Sequence, residues 1–154
     1  MKSSTRKTET TPSVDKPATW EHFPHVADVG IRGYGPSISS AFEQAAIALT
    51  ATVTNPDSIR PKTSIGITCT APNAELLLVD WLNAIIYEMA TRKMLFGQFS
   101  VEIRDNHLSA SIDGEPVDIE HHAPATEVKG ATMSELEVCR DSEGHWSAQC
   151  IVDV

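Results

Sequence analysis

Two stretches of the chain repeat apolar residues at helical spacing. Ile38, Ala41, Phe42, Ala45 and Leu49 follow Ser37, whose hydroxyl suits an N-cap. Asn55-Pro56-Asp57 ends that helix, because the residue before a proline is pushed out of the helical region. The second stripe, Leu78, Trp81, Leu82, Ile85 and Met89, is the strongest pattern in the chain. Asn73 is its predicted N-cap, and Glu75 lies near the positive helix end. Asp80, Asn83 and Tyr87 occupy another face of the same helix.

Elsewhere the period is two, the signature of strands. Ile65, Ile67 and Cys69 alternate with polar neighbours, as do Phe99, Val101 and Ile103. Asp105-Asn106 turns the chain, and Leu108, Ala110 and Ile112 return. Trp146, Ala148, Cys150, Val152 and Val154 share one face of a final strand, with Asp153 on the other. From Phe23 to Tyr34 the pattern predicts an irregular segment and then a short strand, closed by Gly33, Gly35 and Pro36. Asp113-Gly114 and Asp141 to Gly144 read as turns, and His121-His122 as a loop. The resulting fold class is α+β: β-α-β-α followed by a β meander, with two helices packed on a largely antiparallel sheet.

Residues 1–19 break from both periods. They are rich in Ser, Thr, Pro and Lys and nearly free of large apolar side chains, so a disordered tail is expected there. Residues 20–154 are expected to form one domain, a usual length for one. The whole chain carries a formal net charge of −9, from 12 Lys+Arg against 21 Asp+Glu. The tail is net basic (Lys2, Arg6, Lys7 and Lys16 against Glu9 and Asp15), so the body is more acidic still. Such a surface disfavours direct nucleic-acid binding, which needs clustered cations to displace counterions. It equally disfavours a polybasic membrane contact, and no apolar run approaches the ~20 residues of a transmembrane helix. Cys69, Cys139 and Cys150 are scattered and lack metal-ligand spacing, which fits a reduced, cytoplasmic protein.

No phosphate loop, dinucleotide fingerprint, nucleophile elbow or zinc-binding helix motif is present. The candidate chemistry lies in three places. His25 and Asp28 stand three apart at a strand edge, where both can reach a metal or Asp28 can cap a turn. Asp153 and Val154 bring a carboxylate next to the last main-chain oxygens. Glu115 and Lys129 belong to the third, with Lys129 either an anion partner or one half of a cross-strand ion pair. If Asp28 and Asp153 converge, carboxylates about 4 Å apart repel by roughly 4 kcal/mol at an effective dielectric near 20. A cation, a lysine or a shared proton must offset that. An all-oxygen donor set suits Ca2+, Mg2+ or Mn2+.

The motifs His25-x-Ala27-Asp28-Val29-Gly30, Ala41-Phe42-Glu43 and Leu78-Val79-Asp80-Trp81-Leu82-Asn83 come first in the chain. Gly114-Glu115, Glu127-Val128-Lys129-x-Ala131-Thr132 and Asp153-Val154 follow. In this order they resemble the archease family, from about Trp20 to Val154. The resemblance implies a non-catalytic, metal-binding protein cofactor of an RtcB-type RNA ligase, which joins RNA ends in tRNA splicing or RNA repair. It implies help in forming the ligase's guanylylated intermediate from GTP and Mn2+, and in repeated turnover. The family's metal site carries over onto Asp28, Asp153 and the main-chain oxygen of Val154, with His25, Lys129 and Glu115 in supporting positions. The chain departs from the family's pattern at Val26 and at Met133-Ser134. Two other classes compete: a chaperone or specificity modulator of another RNA-processing enzyme such as an RNA methyltransferase, and a stand-alone metal-dependent phosphoesterase. The second lacks an evident general base beside its acids.

Overall fold

The computed structural model describes residues 17–25 and 27–154. Most of the tail expected over residues 1–19 therefore lies outside the described residues, as does Val26. The elements run β1 (Thr19–His25), β2 (Asp28–Gly35), α1 (Ile38–Val53), a 3-10 turn (Pro56–Ser58), β3 (Thr63–Thr70) and α2 (Ala74–Arg92). Then come β4 (Met94–Arg104), β5 (His107–Pro116), α3 (Ile119–His122), β6 (Gly130–Ala131), β7 (Glu137–Arg140) and β8 (Trp146–Asp153).

The strands make two sheets rather than one. A five-stranded sheet runs β1-β2-β8-β6, with β7 also paired to β8, and a three-stranded sheet runs β3-β5-β4. Every pairing is antiparallel, so the α+β class holds.

Both long helices start where their caps predict. The Ser37 hydroxyl accepts the Ser40 N–H at 3.1 Å in a capping box, and Asn73 Oδ1 accepts the Leu76 N–H at 2.9 Å. The apolar stripes of the two helices meet in the core, where Phe42, Leu78, Trp81, Leu82 and Ile85 are all fully buried. The indole N–H of Trp81 finds the Phe42 carbonyl at 3.0 Å, satisfying the one polar atom of that side chain. Helix α1 also covers the open edge of β4. Glu43 accepts the Val101 N–H at 2.8 Å and Ser39 accepts the Ile103 N–H at 3.2 Å, which blocks pairing with another strand. No helix among the described residues is long and apolar enough to cross a membrane.

Two expectations about strands and turns fail for physical reasons. From Phe23 to Tyr34 the expected short strand forms as β2, but what precedes it is not irregular: it is β1, paired with β2 in a hairpin registered from Thr19↔Tyr34 to His25↔Asp28. Its alternation is hidden because the inward side of β1 carries His22, bonded to the Ala48 carbonyl at 2.8 Å, while Phe23 lies on the outward side. The sequence before Asp28 also lacks the usual Gly or Asn; Ala27 takes the left-handed conformation itself, with φ 62°. The second failure is Asp113-Gly114, which lies inside β5 and not at a turn. A Cβ on Gly114 would stand 1.8 Å from the Leu95 carbonyl oxygen, so the glycine there serves a close strand approach beside the Phe96/Gln98 bulge.

Candidate metal centre

One end of the five-stranded sheet gathers the acids that the sequence singled out. β2 pairs with β8 through Val29↔Val152 and Gly30↔Ile151, and one step further sets Asp28 opposite Asp153. On the flanks, His25 opposes Asp28 across the hairpin and Gly130 opposes Asp153. The result is a row across four strands: His25, Asp28, Asp153, Gly130. Val29 and Val152 pack into the core, so strand alternation turns Asp28 and Asp153 together onto the face away from the helices. Directly opposed residues keep their Cβ atoms about 4.5–5.5 Å apart, close enough for two carboxylates to share a ligand.

Local chemistry explains how this end is held. A Cβ on Gly30 would meet the Phe23 ring at 2.3 Å, so the glycine lets that ring lie flat on the hairpin. The Arg32 guanidinium stands 4.5 Å above the same ring. Arg32 also pairs with Glu21, which accepts the Tyr34 hydroxyl at 2.7 Å. The hydrogen bonds from Tyr34 and then Arg32 hold the Glu21 carboxyl below its ordinary range. On the other flank, Lys129 donates its backbone N–H to the Asp153 carbonyl at 2.7 Å. Lys129 and Gly130 thus both oppose Asp153, two residues against one, which makes a β-bulge. Among the described residues, the Lys129 ammonium has no carboxylate within ion-pair distance, so the cross-strand pair considered for it is not formed. Val154 is half-buried against the core, which ties down the main-chain oxygens next to Asp153.

The candidate ligands Asp28, Asp153 and the Val154 main chain offer only oxygen, and His25 stands beside Asp28 as a supporting position. Neither carboxylate has a cationic side chain within 4.0 Å among the described residues. These residues fit a hard divalent cation with several oxygen ligands and do not suit zinc.

Glu115 does not join the row. It lies on β5 in the other sheet, 3% exposed, where the Arg60 N–H reaches its Oε2 at 2.9 Å and the Arg60 side chain its Oε1 at 3.1 Å. His122 completes this cluster. Its Nδ1 accepts the Asp118 N–H at 2.9 Å, so by the hydrogen-bond pattern Nε2 carries the proton given to Glu115 at 2.9 Å. The backbone N–H of Arg60, together with His122 and the Arg60 side chain, holds the Glu115 carboxyl at about 2. Glu115, His121 and His122 also lie close enough to hold an ion, but both His122 nitrogens are engaged and Arg60 supplies the positive charge. A second close group, Asp141, Glu143 and His145, is a tight turn whose backbone N–H groups are capped by Asp141.

The whole-chain pattern agrees with the family resemblance. The family model described as Archease protein family (MTH1598/TM1083) matches residues 20–154. The chain belongs to the archease family. It is 36% identical over 139 residues to the protein named archease of Pyrococcus furiosus, covering 88% of this chain and 98% of that one. The archease of Methanosarcina mazei is 32% identical over 140 residues, covering 88% and 95%. Among solved structures, the solution structure of Methanobacterium thermoautotrophicum protein 1598 matches with a TM-score of 0.77 and 29% identity, covering 88% of this chain and 98% of that chain. Family membership and the α+β fold are thereby shown.

Sequence reading missed three residues that shape this archease chain. His122, expected in a loop, is a buried partner of Glu115; Asp118, an N-cap three residues before His121, is the available signal for the short helix that carries it. The sequence marks Asn83 as a polar position on α2 and Glu75 as an acid near its positive end, and neither reading includes a strand contact. Each accepts a backbone N–H from a short strand, Ala131 at 2.9 Å and Val138 at 3.2 Å. Nothing in the spacing of the residues foretells those long-range bonds.

Proposed function

We propose that this chain is a metal-binding, non-catalytic protein cofactor that activates an RtcB-type RNA ligase by promoting its guanylylation and repeated turnover. Family membership supports a protein-cofactor role in RNA processing. The observation that supports the finer reading is the β2–β8 register that sets Asp28 opposite Asp153, with a half-buried Val154 beside them and a Lys129 ammonium that has no ion pair among the described residues. In this reading Asp28, Asp153 and the main-chain oxygen of Val154 hold Ca2+, Mg2+ or Mn2+. The ion would supply a fixed positive charge that cancels the carboxylate repulsion and organises the sheet end as a docking face. The acidic body suits a basic protein surface and not RNA itself, so the RNA is left to the ligase.

The test is to incubate an RtcB-type ligase with GTP and Mn2+, with and without this chain, and to quantify guanylylated ligase and joined RNA per ligase. The expected result is a larger guanylylated fraction and more than one turnover. No change in either, with capture of an RNA methyltransferase in place of a ligase, would overturn the reading.

A further inference from the structure

Short strands at a sheet edge leave backbone N–H groups with no neighbouring strand to accept them. In the five-stranded sheet, β6 and β7 both pair with β8 on one side only. Helix α2 takes the place of the missing neighbour. Two side chains eight residues apart, and so near one face of the helix, each provide an acceptor. Asn83 Oδ1 takes the Ala131 N–H at 2.9 Å, and Glu75 Oε2 takes the Val138 N–H at 3.2 Å. The two clamps sit at different distances from the acidic row. Glu75 fastens β7, which pairs along β8 from Gln149 to Trp146, away from its acidic end. Asn83 fastens Ala131, immediately after the bulged pair Lys129 and Gly130 that opposes Asp153.

We propose that Asn83 is a positioning residue of the acidic site: its amide oxygen holds the Lys129–Gly130 bulge against Asp153. The inference rests on the reading of Asp28 and Asp153 as metal ligands. β6 is only two residues long, so it has few bonds of its own to fix it. The Lys129 N–H, the Thr132 N–H and the Thr132 hydroxyl bind it to β8, at 2.7, 3.0 and 2.9 Å, and Asn83 binds its other side. Asn83 also lies beside Gly130: a Cβ placed there would be in ordinary contact, 3.6 Å from the Asn83 oxygen. Bulges beside functional sites serve to aim a side chain. Here the bulge aims Lys129 and fixes the Asp153 carbonyl, and Asn83 keeps it from sliding along β8. A partner that orients a ligating residue from outside the donor set commonly changes metal affinity by about 10–100-fold when lost.

The test is calorimetric titration of Mn2+ and Ca2+ into the full chain, alongside amide exchange of Ala131 by NMR. Asn83→Ala should speed exchange at Ala131 and weaken metal binding about ten-fold or more. Asn83→Asp, which keeps an acceptor oxygen, should restore both. Glu75→Ala is the control for a merely structural clamp: it should lower Tm and leave metal affinity unchanged. If Asp28→Ala abolishes metal binding while Asn83→Ala binds as wild type does, the positioning proposal fails and the site reading stands. If Asp28→Ala also binds as wild type does, the site reading fails and this proposal with it.

Discussion

Lys129 gives its backbone N–H to the carbonyl oxygen of Asp153 at 2.7 Å, while its ammonium stays exposed and without an ion pair among the described residues. The structural bond of Lys129 is thus a main-chain one that any residue but proline could make, and its side chain takes no part in it.

The variant Lys129→Ala separates the two. Its stability should stay within about 0.5 kcal/mol of wild type, as for other exposed positions. Stimulation of ligase guanylylation should fall clearly. Urea denaturation and the guanylylation assay on the same preparation check both halves.

Ala27 holds φ 62° in the connection that presents Asp28. A non-glycine residue in that region costs about 1–2 kcal/mol. Ala27→Gly should accordingly raise the unfolding free energy by up to about 1 kcal/mol, offset partly by the flexibility glycine adds to the unfolded chain. Equilibrium urea unfolding measures it. Strain kept beside a candidate site is a common pattern, so the same variant should be compared with wild type for metal affinity.

Glu115 titrates at about 2 in the folded protein, against an ordinary value of 4.5. The sign follows from proton binding. Between those two values the unfolded chain binds the proton and the folded chain does not, so stability falls as pH falls through that window. Above about 4.5 the contribution is fully present. Glu115→Gln should lower Tm at neutral pH, because the buried His122 and the exposed Arg60 lose their charged partner. Its Tm should then fall less steeply than that of wild type below pH 4.5. Thermal unfolding followed by circular dichroism across that range provides the comparison.

The three thiols should differ in reactivity. Burial pushes Cys150 up to about 12, and burial with the nearby charge of Asp80 raises Cys69, whereas Cys139 is exposed. With a thiol reagent at mildly alkaline pH, Cys139 should be labelled first and Cys150 only on unfolding. Mass spectrometry of peptides from partly labelled protein distinguishes them.

Much of this was legible in the chain because it depends on local chemistry. Ser37 and Asn73 announce their helices, Asp105-Asn106 its hairpin, and the alternation from Trp146 to Val154 puts Asp153 on the face away from the core. The acidic row was only half legible. Nothing local says that β2 and β8, more than a hundred residues apart, pair in the register that opposes Asp28 to Asp153. The hairpin from Thr19 to Gly35 was missed because Phe23 faces outward under Arg32 and His22 faces inward onto α1. Gly114 misled because a glycine needed for close strand approach looks the same in sequence as one needed for a turn.

The most direct test of the central claim uses Asp28→Ala and Asp153→Ala, each shown to be folded by its Tm, in the guanylylation assay with an RtcB-type ligase, GTP and Mn2+. The account predicts that both variants bind Mn2+ far more weakly than wild type and fail to stimulate guanylylation. Stimulation equal to wild type by either folded variant would contradict it.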